Sequence, residues 1–535
     1  MKINRYLNQI NKKKKNIIIF FLFLFAAYSS ITIGQSWDEA FHLLQGKITA
    51  DYLVTFGYID NPLYYREYYS PIYFSFTYLI TNLFPNSLEI QINHLINTTI
   101  SFTALFGLAK ITRKLFNKKT SYFAFLILFF YPIFFGHMGI NSKDIILATC
   151  HVWITYLTLS YLKKQDVNAS LNKYIICISI LAAIGSGIQL LFLGTFMTIF
   201  FFVLADIFFL KKFSNVNFDK FKFLIDLLKC FMIFYFLLVL FWIDVHPNIL
   251  VLPFEIVAKL FADDYLTGWS YNLVNGNYSF SNNVPKTYFL INIFFKTPIY
   301  IIVLYCFFVF ILFFHKSYFK IKFKHHIYKL LFILSIIIFP NFLIIFLTMP
   351  IYDGIRLFLW SLPYLVIIPS LTLSFLIDNS NLKISKISFL ILPILIVYFI
   401  YNFLLITPYQ YTYLNLFAGK AKNNYKKFEN DYWGTSAEEL IKNMNFKKNY
   451  KTNVTVCGFN HGVVKRYLKK HGYNNLTLTE PEKAKYIFMT NRTLAKEILK
   501  TGENNITNCF EKYVGIEIAT VKRNGKKISV IREIN

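Results

Sequence analysis

Trp37-Asp38-Glu39-Ala40-Phe41-His42 follows directly on the first long apolar run of this chain and sets two adjacent carboxylates and an imidazole where that run ends. A carboxylate there has a chemical use. A hydroxyl is a poor nucleophile at neutral pH, and an acid within hydrogen-bond reach can take its proton as it attacks. Charge on a departing group then calls for cations. Lys143, Arg356 and Arg66 are candidates to hold a phosphate, arginine with a two-pronged grip. Each residue also has a plainer use. Glu39 can cap a helix or join a salt bridge, and Asp38 can be a helix N-cap. Lys143–Asp144 can be a surface pair, and Asp353 and Arg356 can pair with each other. His42 and His137 are possible metal ligands, but they make no recognised ligand spacing, so no metal or other cofactor is called for.

Four separated segments carry most of the informative polar residues. The first, 35–92, holds Asp38, Glu39, His42, Asp60, Arg66 and Glu67, with Tyr64, Tyr65, Tyr68 and Tyr69 around the last two. Those tyrosines fit an interfacial belt and fit equally well a slot for a sugar ring or a polyprenyl chain. The second segment runs from Gly136-His137 to Asn141-Ser142-Lys143-Asp144. The third, 244–288, holds Asp244, His246, Asp263, Asp264, Trp269 and Tyr271. The fourth is Tyr352-Asp353-Gly354-Ile355-Arg356.

The elements that must bring these segments together are membrane helices. The chain has 535 residues, 56% hydrophobic and 20% aromatic, with only 16% charged. Its apolar runs fall at 17–34, 93–111, 121–136, 145–162, 174–188, 190–210, 223–243, 289–313, 329–348, 357–377 and 388–406, which predicts about eleven transmembrane helices. The first is read as an uncleaved span, because so many more follow it. The stretch 174–210 is read as a tight hairpin of two helices, and Ile72–Phe84 as an interfacial helix. The net charge of +28 does not point to nucleic acid, since the lysines cluster between the apolar runs. Lys12–Lys15, Arg113–Lys119, Lys163/Lys164, Lys211/Lys212, Lys316–Lys329 and Lys383/Lys386 all fall on one side, which the positive-inside rule makes the cytoplasm. The N-terminus is then inside. The four polar segments, including the loops 35–92 and 244–288, and everything after about residue 407 lie outside. Convergence of such loops on one face is what a site between helices requires.

After about Tyr425 the texture changes. Residues 1–424 are expected to form the membrane module, 425–449 a connector, and 450–535 a small extracytoplasmic α/β domain. Helices are expected over Thr435–Met444 and Val463–Lys470. Strands are expected over Thr452–Cys457, Tyr486–Thr490, Tyr513–Lys522 and Ile528–Ile531, the last two joined by an Asn524-Gly525 turn. So small a domain is expected to lean on the bundle. Four cysteines lie in apolar runs as small fillers. Cys457 and Cys509 share the outer tail, where a disulfide is permitted.

Several ordered blocks carry a family resemblance: Ser36-Trp37-Asp38-Glu39 with Phe41-His42; Phe134-Phe135-Gly136-His137 with Asn141-Ser142-Lys143-Asp144; Lys296-Thr297-Pro298; Tyr352-Asp353-Gly354 with Arg356; Pro408-Tyr409-Gln410-Tyr411 with Tyr413 and Asn415; and Phe428-Glu429-Asn430-Asp431-Tyr432-Trp433-Gly434. Together they make residues 36–436 resemble a GT-C superfamily glycosyltransferase of the protein mannosyltransferase and aminoarabinose transferase branch. Relatives usually have Pro where this chain has Ser142, a change that removes no charged group. The resemblance implies a multi-pass protein of the bacterial cytoplasmic membrane that transfers sugar from a polyprenyl-phosphate lipid to a glycan, lipid or protein acceptor, with inversion. It implies Asp38 as general base with Glu39 as the neighbouring acid. Lys143, Asp144 and Arg356 would place the donor phosphate, and His42, Tyr65, Arg66, His137 and Asp353 complete the candidate substrate-binding set.

Three rivals stand beside this reading: a transporter or flippase, a scaffold that binds through residues 450–535, and a lipid-linked-sugar polymerase or ligase. A transporter places charges near the midplane. Here the apolar runs hold few, and the acids gather at one edge.

Overall fold

Runs of about twenty apolar residues cannot leave backbone polar groups unpaired in hydrocarbon, so they close into helices. The computed structural model describes residues 2–55, 57, 70–165, 171–214, 217–262, 268–346, 349–495 and 506–534. In chain order the first helices are α1 (Lys2–Thr32), α2 (Glu39–Val54), α3 (Ile72–Thr81), α4 (Glu89–Leu115), α5 (Lys118–Phe129), α6 (Pro132–His137) and α7 (Asp144–Lys164). Next come α8 (Asn172–Ile188), α9 (Met197–Ala205), α10 (Lys220–Phe241) and α11 (Leu252–Ala262), then a hairpin of β1 (Tyr271–Val274) and β2 (Asn277–Phe280). The rest of the bundle is α12 (Tyr288–Lys296), α13 (Ile299–Phe314), α14 (Lys316–Lys322), α15 (His326–Phe346), α16 (Leu362–Leu365), α17 (Ile367–Asp378) and α18 (Lys383–Leu405).

Among the described residues, 8 helical stretches are long and apolar enough to cross a membrane, or 9 if α12 and α13, bent by 111°, are one span. The sequence suggested about eleven. The two that fall short are 121–136 and 174–188. The first breaks because Pro132 opens α6 and α5 has already ended at Phe129. The second is the 17-residue α8. It is separated from the following stretch Leu190–Leu210 by Gln189, whose backbone is extended, so 174–210 is two helical stretches. Tyr73 and Phe74 of α3 are buried while Phe76 and Leu79 are exposed, so this ten-residue helix covers the bundle and does not cross it. Phe21, Leu228, Phe236 and Leu390 stand exposed on long apolar helices, as lipid-facing side chains do.

The C-terminal part is a small mixed sheet. Its strands are β3 (Thr452–Cys457), β4 (Leu476–Leu478), β5 (Tyr486–Met489), β8 (Ile516–Arg523) and β9 (Lys526–Glu533), in the order β4-β3-β5-β9-β8. Two short strands, β6 (Thr493–Ala495) and β7 (Ile506–Asn508), form a separate pair. Helices α19 (Ala437–Lys442) and α20 (His461–Lys470) pack here, and α21 (Cys509–Lys512) follows β7. Asn524 and Gly525 both have positive φ, the geometry that makes Asn-Gly a tight hairpin turn. Cys457 and Cys509 are joined by a disulfide, with Cα atoms 5.9 Å apart.

This domain does not have a core to itself. Ile33 and Ile140 from the bundle share one apolar cluster with Leu440, Ile441, Val464, Phe488 and Ile531. Burying each such side chain is worth roughly 1.5–3 kcal/mol, so the shared cluster is a strong joint. Arg523, held in a two-pronged bond by Glu439 of α19 at 2.9 and 2.7 Å, donates across the joint to the Thr407 carbonyl.

Candidate active site

The first turn of α2 decides what the two adjacent acids do. Asp38 is the N-cap residue, but its side chain makes no capping hydrogen bond, and its carboxylate is 37% exposed. Glu39 does the work at the helix start. Its Oε2 accepts from the Ser36 backbone N–H at 2.6 Å, and its Oε1 accepts from Asn93 at 3.1 Å. The same Oε1 lies 2.8 Å from His94 Nε2 of α4, with both side chains buried. Gly46 lets α2 close on α3, since a Cβ there would meet the Phe74 carbonyl. Phe74 in turn stacks on the His42 ring, with centroids 4.3 Å apart.

Asp38 faces a cluster assembled from separate parts of the chain. Arg356 Nη1 lies 3.5 Å from Asp38 Oδ2 and 3.3 Å from Asp353 Oδ2, and Arg356 Nε lies 3.4 Å from Asp144 Oδ2. One guanidinium therefore touches three carboxylates. It also lies over the rings of Tyr352 and Trp433, at 5.0 and 4.9 Å. Asp144 begins α7, where the helix N-terminus favours an anion. Asn141 fixes that turn by accepting from the Lys143 and Asp144 backbone N–H groups and donating to Asp144 Oδ2. Asn141 also donates to His137 Nδ1, which leaves the His137 proton on Nε2 to donate to Tyr432 at 2.8 Å. Gly136 has no room for a side chain, because a Cβ would meet the Tyr411 backbone.

Burial raises the Asp38 carboxyl, but the opposing pull of Arg356, then His42, Lys143 and Arg492, holds it below its ordinary value. Burial pushes the His42 imidazole down to about 4, with Lys143 and Arg356 adding to the fall and Asp38 resisting it. His42 is thus neutral at pH 7, and its Nδ1 lies 2.8 Å from Ser142 Oγ. Ser142 thereby acquires a partner.

The C-terminal domain reaches into the same cluster. Arg492 Nη1 is hydrogen-bonded to Asp353 Oδ1 and lies 3.7 Å from Glu429 Oε1. Its guanidinium covers Trp269 at 4.3 Å, and Trp269 meets Trp37 edge-on at 6.1 Å. Glu429 accepts from Thr493 N and Oγ1 at 2.9 and 2.8 Å. Trp433 Nε1 donates to Asp353 at 3.3 Å. Asp353 and Gly354 both have positive φ, a conformation costly for a residue with a side chain and one that these partners over-determine. Behind them, Lys296, Asn292, Tyr288, Glu429 and Tyr432 line a small pocket.

Of the candidate site residues, Asp38, Lys143, Asp144, Asp353 and Arg356 come together, with His42 and His137 at the edge through Ser142 and Asn141. Glu39 is turned away toward His94. Tyr65 and Arg66, with Asp263 and Asp264, lie outside the described residues. Arg492 and His94 were not singled out in the sequence, and Glu429 and Trp433 appeared only within a motif block. Among the described residues no group of three His, Cys, Asp or Glu side chains is placed to hold a metal ion.

No family model and no curated protein sequence matches the chain. Solved structures do match it. ArnT from Cupriavidus metallidurans in the apo state aligns over 97% of this chain and 98% of its own, at 10% identity and a TM-score of 0.50. The archaeal oligosaccharyltransferase AglB from Archaeoglobus fulgidus, in complex with an inhibitory peptide and a dolichol-phosphate, aligns over 89% of this chain and 69% of its own, at 11% identity and a TM-score of 0.48. The first likeness runs nearly end to end and shows a shared fold: a multi-pass helical membrane protein with a small C-terminal domain.

Proposed function

We propose that this chain is a GT-C-type glycosyltransferase of the bacterial cytoplasmic membrane. It takes a sugar from a polyprenyl-phosphate donor and passes it, with inversion, to a hydroxyl of a glycan, lipid or protein acceptor at the extracytoplasmic face. The observation that carries the reading is Asp38: a partly open carboxylate, unused in capping, set against Arg356 in a cluster fed by several loops. The ArnT-like fold supports it. Residues 1–424 would be the catalytic module, 425–449 the connector and 450–535 the attached domain.

In this mechanism the donor phosphate sits against Lys143 and the Asp38 side of Arg356, the more open of its contacts. Its negative charge displaces Asp38 from the guanidinium and raises the carboxylate's basicity. Asp38 then takes the acceptor's proton as the acceptor oxygen bonds to the sugar carbon. The bond from that carbon to the phosphate oxygen breaks, and the polyprenyl phosphate leaves with the electron pair. Lys143 and Arg356 stabilise the charge it gains. The gathering of charge at one end of the bundle favours this chemistry over transport.

The test is transfer from a panel of polyprenyl-phosphate sugars to a cell-envelope acceptor, by protein purified with membrane lipids. Wild type should transfer and Asp38→Asn should not. Folded wild type that transfers from no donor would count against the reading.

A further inference from the structure

We infer that Arg492, supplied by the C-terminal domain, is a positioning residue of the active site: by neutralising Asp353 it leaves Arg356 free to reach Asp38. The transfer readout below rests on the function proposed above; the labelling readout does not.

Asp353 is 2% exposed and sits between two guanidiniums, Arg492 on Oδ1 and Arg356 on Oδ2. A buried carboxylate demands compensation, and each cation it holds is partly spent. With Arg492 in place, Asp353 has one full partner and needs only part of Arg356. Without Arg492, Asp353 would draw Arg356 to itself. The contact to give way is the one to Asp38, at 3.5 Å the longest of the three and the only one with an exposed carboxylate. Arg492 also adds directly to the positive field at Asp38, behind Arg356 and Lys143.

Arg492 is built into place. Its carbonyl accepts from the Cys509 N–H at 2.9 Å, beside the Cys457–Cys509 disulfide. The preceding Asn491 donates to the carbonyls of Tyr425 and Phe428, and the guanidinium covers Trp269. The domain is meanwhile joined to the bundle elsewhere, by the Arg523 bond to the Thr407 carbonyl and by the shared apolar cluster. Docking alone therefore gives no reason for a buried arginine at position 492.

The experiment uses the full chain in detergent. Carbodiimide with glycine ethyl ester at pH 5 modifies protonated carboxyls, and mass spectrometry reads modification at Asp38, with exposed Glu482 as internal reference. Loss of a neighbouring cation raises a carboxyl's pKa, so Arg492→Gln should label Asp38 about threefold faster or more. Arg492→Lys, which keeps the charge but loses the fork, should fall between. Arg523→Ala, which loosens the domain away from the cluster, should lower the Tm and leave Asp38 labelling unchanged. In the transfer assay Arg492→Gln should lower kcat and move the acidic limb of the pH profile upward, with partial rescue by Arg492→Lys. Asp38 labelling in Arg492→Gln equal to wild type, or an equal rise in Arg523→Ala, would overturn the inference. A wild type inactive with every donor but showing the labelling pattern would fault the proposed reaction and sustain the role of Arg492.

Discussion

Asp38 and Glu39 are neighbours in the chain, and each has a histidine at hand, yet the first turn of α2 gives them unlike surroundings. On one side Asp38 lies partly open against Arg356, near Lys143 and a neutral His42. On the other, Glu39 is sealed against His94, Asn93 and the Ser36 N–H. One carboxylate is held where a second molecule can reach it. The other is committed to fixing the entry of α2 onto α4. The difference comes from rotation about the helix axis, by which consecutive residues face directions about 100° apart. Chemistry on one side depends on geometry locked by the other.

The largest expected effect tests the open side. Asp38→Asn should lower transfer by about 10³-fold, within the range for loss of a general base, while the Tm shifts little. A variant that keeps most of its activity would erase the distinction between the two acids. On the sealed side, Glu39→Gln strips His94 of its buried partner and should cost about 3 kcal/mol of stability, read by denaturant unfolding. Activity per folded molecule should fall far less than in Asp38→Asn. A stable but inactive Glu39→Gln would reverse the assignment.

His42 gives a pH signature. Its pKa is about 4 in the folded protein against an ordinary 6.5. The unfolded chain binds the proton more readily, so this contribution to stability is fully present above about pH 6.5. It is lost as pH falls toward 4, with a slope of at most about 1.4 kcal/mol per pH unit. His42→Phe should flatten the Tm-against-pH curve in that window. The smallest effect belongs to Ser142→Ala, which leaves His42 Nδ1 without its hydroxyl and should cost about 1 kcal/mol. Unchanged stability there would mean that His42 is not held through Ser142.

The sequence made the long spans legible because eighteen or more apolar residues in a row have few other uses. At 121–136 hydropathy runs on, but Pro132 interrupts the helix, which hydropathy alone does not register. The strands at Thr452–Cys457 and Tyr486–Met489 and the Asn524-Gly525 hairpin were readable from alternation and turn chemistry. Asp38, Lys143, Asp144, Asp353 and Arg356 stood out because charged residues are rare beside apolar runs. Arg492 did not, since its position follows a β-strand in a polar tail where nothing local marks it. A hint was available: the chain strongly prefers lysine, so an arginine is worth asking about wherever a planar fork would matter. Glu39 read as part of the acid pair because His94 lies 55 residues further on, and no periodicity joins them.

The apolar cluster in which Ile33 and Ile140 meet Leu440, Val464 and Ile531 has a consequence for how the protein is made. The bundle's share of that surface exists once the early helices are inserted, but its cover is synthesised about 300 residues or more later. A chain halted before about residue 440 would present a bare greasy patch to water, the feature that proteases and chaperones use to sort unfinished products. The arrival of the final strands therefore does two things at once: it hides the mark of an incomplete copy and delivers the last arginine to the site.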